Sequence, residues 1–101
     1  MKPVLIVDDL ETTRQLLREL LEPLGWTCSE ASNGVQGLAV VKEKRPDLIL
    51  TDYKMPEMNG LELLKHLKRD IILKTIPVRA FTHELLFRIC RAAIRRNFNG
   101  F

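Results

Sequence analysis

Two short apolar runs, Val4-Leu5-Ile6-Val7 and Leu48-Ile49-Leu50-Thr51, each end in aspartate: Asp8-Asp9 follows the first and Asp52 the second. Runs of this length read as buried strands. Helical patterns separate them, so the two are predicted to lie as parallel neighbours joined by crossovers. Open α/β sheets place their ligands at the carboxyl edge of the strands, and that is where all three carboxylates are expected. A single aspartate after a strand is commonly just a first loop residue or a helix cap; the convergence of three is what points to chemistry. Like charges that close repel unless protons or a cation intervene, and a cluster of hard oxygen ligands suits Mg2+ with several waters retained. Met55-Pro56 and Asn59-Gly60 are turn signals, so the chain leaves the edge through a loop before a helical pattern resumes at Leu61. Asp52 is therefore expected to be presented there rather than buried.

Between the two runs the apolar period changes. Leu16, Leu17, Leu20, Leu21 and Leu24 form a helical stripe with Glu11, Arg14, Arg18, Glu19 and Glu22 off it, and Pro23 with Gly25 ends it. The loop after Asp9 contains no glycine. Flavin and dinucleotide sites bring phosphate against bare backbone N–H groups in a glycine-rich first turn. Here two carboxylates stand where that phosphate would go, and only a cation reconciles them with an anion, which favours a metal-assisted phosphoryl site over a nucleotide cradle. Trp26 to Ala31 is a half-polar second strand, suited to a sheet edge. Asn33-Gly34 is expected to turn the chain into a helix carrying Val35, Leu38, Ala39 and Val41, closed by Lys42 to Arg45 and Pro46. A third helix is predicted with Leu61, Leu64 and Leu67 inward and His66 on its solvated side, ending near Asp70. Ile76 to Thr82 reads as the fourth strand, with Pro77 tolerable at its start.

At 101 residues the chain is expected to be one domain, residues 1–101, with a single core. Its 16 basic and 13 acidic residues give a formal charge of +3, too mild an excess to argue for nucleic acid. No run approaches the roughly 18 apolar residues of a membrane span, and no signal-peptide layout is present, so a cytoplasmic location without membrane contact is expected. Cys28 and Cys90 lack any metal or redox spacing and read as small hydrophobes.

These residues resemble the receiver domain of two-component response regulators and are similar to the chemotaxis response regulator. The resemblance rests on Asp8-Asp9, on Asp52 followed by Met55-Pro56 and Met58-Asn59-Gly60, and on Thr82 after Ile76-Pro77-Val78-Arg79-Ala80-Phe81, and it runs from Met1 to Phe101. It implies an α/β, flavodoxin-like, doubly wound parallel sheet of receiver topology. Asp52 would accept a phosphoryl group from a histidine kinase or phosphotransfer protein, and Asp8, Asp9 and Asp52 with the Lys54 carbonyl would hold Mg2+. Thr82 would be the switch hydroxyl and Phe101 the switch aromatic. His83 departs from the family, which has a small residue there.

From Leu85 to Ile94 an amphipathic stripe is opposed by Arg88, Arg91 and Arg95. These arginines read as a solvated face complementing a helix dipole, or, by the resemblance, as the face that reports phosphorylation to an output partner. No aromatic or glycine interleaves them, which argues against single-stranded nucleic acid. The resemblance would continue past Phe101 to a Lys and a fifth helix. A fifth strand and helix incomplete or absent would leave an open sheet edge, so self-association or continuation in a longer chain is expected. Two function classes follow: a phosphoacceptor that labels itself rather than turning over a released product, and a receiver-shaped protein-interaction module impaired in phosphorylation. A phosphatase is disfavoured by Lys54, where an acid/base aspartate would be needed.

Overall fold

A computed structural model describes residues 2–52, 60–81 and 88. Strand β1 (Lys2–Val7) is followed by α1 (Glu11–Leu21), β2 (Trp26–Ala31), α2 (Gly34–Lys44), β3 (Leu48–Asp52), α3 (Gly60–Lys68) and β4 (Val78–Phe81). The strands form one parallel sheet of order β2-β1-β3-β4. Val4 to Val7 are all shielded from solvent, as an unbroken apolar run in a central parallel strand requires. On one face, Leu5, Val7 and Ile49 pack with Val41, Leu63 and Leu67 beneath α2 and α3. On the other, Ile6 packs with Leu17 of α1, flanked by Leu20, Leu21 and Phe81. As expected, β1 and β3 are neighbours and the half-polar β2 is an edge strand.

The helices bury different residues from those their sequence stripes suggest. In α1, Leu17 is buried, but Leu16 is exposed and Leu24 is 70% exposed. The helix stops at Leu21 and tightens into a 3₁₀ turn over Glu22–Leu24, with Pro23 inside it. Three residues at about 120° rather than about 100° each turn Leu24 away from the stripe. Gly25, at φ 96°, closes the turn by donating its N–H to the Glu22 carbonyl at 3.0 Å, a left-handed conformation that favours glycine.

Asn33-Gly34 starts α2 rather than forming a separate turn. The Asn33 side chain accepts from the Gln36 N–H at 2.9 Å, and the Gln36 amide oxygen accepts from the Ser32 N–H at 3.1 Å and hydroxyl at 2.7 Å, a reciprocal cap. This phase turns Gly34, Gly37 and Val41 inward and leaves Val35 and Ala39 exposed. In α3 the buried pair is Leu63 and Leu67, with Leu64 half-buried and His66 exposed as anticipated; the Leu61 side chain lies outside the described residues. Strand β4 starts at Val78 because the Ile76 N–H is bonded to the Leu73 carbonyl at 3.1 Å in the preceding 3₁₀ turn (Leu73–Thr75). Pro77 has no N–H, yet its carbonyl accepts from the Ile49 N–H at 3.0 Å and so opens the ladder. Cys28 is half-buried, and burial, aided by the Glu22 carboxylate and opposed by Arg18, raises its thiol pKa. Cys90 lies outside the described residues.

Gly37 sets how closely α2 approaches the sheet. A Cβ there would stand 3.1 Å from Cγ2 of Val7 and 3.8 Å from Cδ2 of Leu63. Val7 is fully buried in the central strand and, being β-branched, has little rotamer freedom with which to yield. Gly37→Leu is expected to cost about 2 kcal/mol or more by overpacking, read as a lower urea midpoint at unchanged m-value. A variant as stable as the parent would show that α2 can lift off the sheet freely.

Candidate metal centre

In the strand order β2-β1-β3-β4, the chain leaves β1 towards β2 on one side and reaches β3 on the other. The crevice between β1 and β3, at their carboxyl ends, is the topological switch point where open α/β sheets hold ligands. The register pairs Val7 with Thr51, so the next residue on each strand, Asp8 and Asp52, flanks that crevice. One carboxylate oxygen from each of Asp8, Asp9 and Asp52 lies within 4.8 Å of the other two.

Burial within the cluster is uneven. Asp8 is 0% and Asp52 6% exposed, whereas Asp9 is exposed. The expectation that Asp52 is presented rather than buried is thus corrected. Asp52 still belongs to β3, paired with Phe81 of β4, and a strand flanked on both sides keeps even its last residue under cover. Of the three carboxylates, Asp9 is the one that faces solvent.

Both the backbone and the side chain of Asp8 are held. Its N–H extends the β1–β2 ladder to the Ala31 carbonyl at 3.1 Å, its Oδ1 accepts from the Leu10 N–H at 2.8 Å, and its carbonyl accepts from Nη1 of Arg14 at 2.7 Å. The turn closed by Oδ1 fixes the side-chain direction locally. Arg14 fixes the backbone from a distance. Its Nε donates to Glu30 Oε1 at 3.0 Å, and Glu30 Oε2 meets Nη2 of Arg18 at 2.7 Å, so one carboxylate of β2 is clamped by two successive turns of α1. Sequence patterning put Arg14 and Arg18 on the solvated face and treated Glu30 as edge-strand polarity. The i, i+4 spacing of the arginines was the one available signal; their common partner is a tertiary fact. Arg14 is 15% exposed in its side chain. Arg14→Ala is expected to cost about 1–3 kcal/mol, because Glu30 loses one of its two clamps and the Asp8 carbonyl loses its donor. Chemical denaturation measures this, and a loss below about 0.5 kcal/mol would mean that the network is a surface ion pair of little weight.

The donor set fits a small hard cation. Opposite ligands of octahedral Mg2+ stand about 4.2 Å apart, twice a Mg–O length of about 2.1 Å. The oxygens here span little more than that, so a hydrated ion fits among them with small adjustments. All three donors are carboxylates, without nitrogen or sulfur, which favours Mg2+ or Ca2+ over zinc.

The model for the response regulator receiver domain family matches residues 4–101. The chain belongs to this family. The polar-differentiation response regulator DivK of Brucella anthropi is 46% identical over 81 residues, which cover 80% of this chain and 66% of that protein. The phosphate regulon transcriptional regulatory protein PhoB of Pseudomonas aeruginosa is 42% identical over 81 residues, covering 80% of this chain and 35% of that protein. The chain thus spans under two thirds of the length of both relatives. Among solved structures, the chemotaxis protein CheY4 of Vibrio cholerae superposes with a TM-score of 0.75 at 32% identity, covering 79% of this chain and 67% of that one. The α/β, flavodoxin-like fold expected from the sequence is the fold observed, over four parallel strands. Receiver domains bind Mg2+ at an acidic pocket, the place that Asp8, Asp9 and Asp52 occupy here.

The remaining site residues expected from the sequence fall elsewhere. Lys54, Thr82, Arg91, Arg95 and Phe101 lie outside the described residues. Arg88 is helical and exposed. Among the described residues, no helix is long and apolar enough to cross a membrane.

Proposed function

We propose that residues 1–101 act as one phosphoacceptor receiver domain, in the cytoplasm, with Asp52 as the residue that takes the phosphoryl group. The observation that carries this reading is the meeting of Asp8, Asp9 and Asp52 within 4.8 Å at the switch point of the sheet. Asp8, Asp9 and Asp52, with the Lys54 carbonyl, would hold Mg2+, which when bound supplies positive charge to offset that of the carboxylates and of the transferring phosphoryl oxygens. An Asp52 carboxylate oxygen attacks the phosphorus of a phosphohistidine on a histidine kinase or phosphotransfer protein. The P–O bond forms as the P–N bond breaks, and its electron pair stays on the imidazole nitrogen, which then takes a proton. Asp8 and Asp52 are buried and Asp9 is exposed, so Asp9 is the member of the set in contact with solvent.

The product is an acyl phosphate on the protein itself, so the chain is consumed in the step and is not a turnover enzyme. Thr82 as switch hydroxyl and Phe101 as switch aromatic complete this reading. They would couple the new charge to a partner-binding face bearing Arg88, Arg91 and Arg95. Incubation with phosphoramidate and Mg2+ tests it by intact mass: one phosphoryl group that is lost in mild base is expected. Absence of any label with a folded protein would leave the chain as a protein-interaction module of receiver shape.

A further inference from the structure

The amino-terminal edge of the sheet, opposite the carboxylates, carries a groove that phosphoryl transfer does not use. We propose that this groove docks an acidic peptide segment bearing an aliphatic or aromatic anchor. Its main part is a cleft of about 280 Å³ between the loops that enter β3 and β4, walled by residues 45–47 of the first loop, Asp47 among them, and by Ile72, Leu73 and residues 75–77 of the second. Two smaller clefts share Leu73 with it and extend past Lys42 and Asp70 to His66 and Arg69.

The apolar exposure here is built, not a frayed loop. Ile71 is 80% and Ile72 57% exposed, on a turn tied by hydrogen bonds from end to end. Oδ1 of Asp70 accepts from the N–H groups of Ile72 at 2.8 Å and Leu73 at 3.2 Å, and the Asp70 carbonyl accepts from the Lys74 N–H at 2.9 Å. Leu73, 3% exposed, anchors the turn in the core. The frame holds both aliphatic side chains outward, and Ile72 is the one that walls the main cleft and the one beside it.

Charge selects the occupant. Lys42, Arg45 and Arg69, all exposed, line the groove. The acids that line it with them are Asp47 and Asp70, the latter turned to the N–H groups of Ile72 and Leu73. Arg45 sits at φ 45° as the C-cap of α2, a left-handed conformation unfavourable for a side chain with a Cβ. It is a wall of both the main cleft and the one beside it. Cations at the rim, with the aliphatic side chains of Ile72, Leu73 and Ile76 in the main cleft, complement an acidic segment with an apolar anchor. Concavity favours a peptide side chain over a bilayer surface. Strand β3 separates the groove from Asp52, about 15 Å at about 3.3 Å per residue, so a partner held here leaves the carboxylate edge free.

A random peptide library displayed on phage and panned against the immobilised full chain is the test. Enriched peptides are expected to be acidic with a recurring aliphatic or aromatic residue, and a synthetic copy read by fluorescence anisotropy is expected to bind more weakly as salt rises. Ile72→Asp, at an exposed position, is expected to keep the far-UV circular dichroism of the parent and lower the affinity at least tenfold. Arg45→Glu gives a second, independent variant with the same expectation. Enrichment of neutral or basic peptides, equal binding by both variants, or no enrichment at all would overturn the proposal. So would binding of the parent to phosphatidylserine vesicles that Ile72→Asp abolishes while no peptide is enriched.

Discussion

Asp52→Asn is expected to abolish phosphoryl uptake from phosphoramidate, lowering the labelling rate by at least about 10³. The amide has nearly the size and shape of the carboxylate, so it fits the covered position at the end of β3 without disturbing the strand pairing to Phe81. It lacks the negative charge that makes the carboxylate oxygen a nucleophile towards phosphorus. Folding and chemistry are thereby separated: circular dichroism of the variant is expected to match the parent while the base-labile mass increment disappears. Label that persists on Asp52→Asn, or that on the parent survives neutral hydroxylamine as a serine or threonine phosphate would, assigns the chemistry to another residue.

Removing Mg2+ from the parent is expected to lower its melting temperature, and Asp9→Asn to cut that response to about a third or less. A ligand that binds only the folded state at about ten times its Kd stabilises it by about 1.4 kcal/mol, which is several degrees for a domain of this size. Asp9 is the exposed member of the cluster. Its replacement is expected to weaken Mg2+ at least tenfold while leaving the buried pair in place. The metal-free proteins should rank the other way. With one of three like charges gone from a space of 4.8 Å, Asp9→Asn is expected to melt above the metal-free parent, by a margin that shrinks as added KCl screens the exposed charge. Opposite signs in the two conditions are the signature of a site that trades stability for binding. If Mg2+ leaves both proteins unmoved, the three carboxylates do not form a metal centre.

The amino-acid sequence by itself determined the sheet, because strand identity rests on short-range signals. Val4 to Val7 and Leu48 to Thr51 are short apolar runs bounded by turn signals, which read as strands, and aspartates at their ends put the acidic site on the carboxyl edge. Periodicity also gave the existence and approximate ends of α1, α2 and α3. It could not give their rotation about their own axes. That phase depends on caps and on the approach of neighbours: the Asn33–Gln36 cap turns Gly37 towards Val7, and the 3₁₀ turn at Glu22–Leu24 carries Leu24 out to solvent. Burial of Asp52 was likewise beyond reach of pattern, because a loop signal after a strand says where pairing stops and not how deeply the last paired residue lies. The clamp of Arg14 and Arg18 on Glu30 joins residues from two elements, and the groove between the loops entering β3 and β4 joins positions 45 to 47 with 72 to 77. Side chains so far apart in sequence meet only once the strands between them have paired, so tertiary structure alone decided which charges of this chain hold the site and which face a partner.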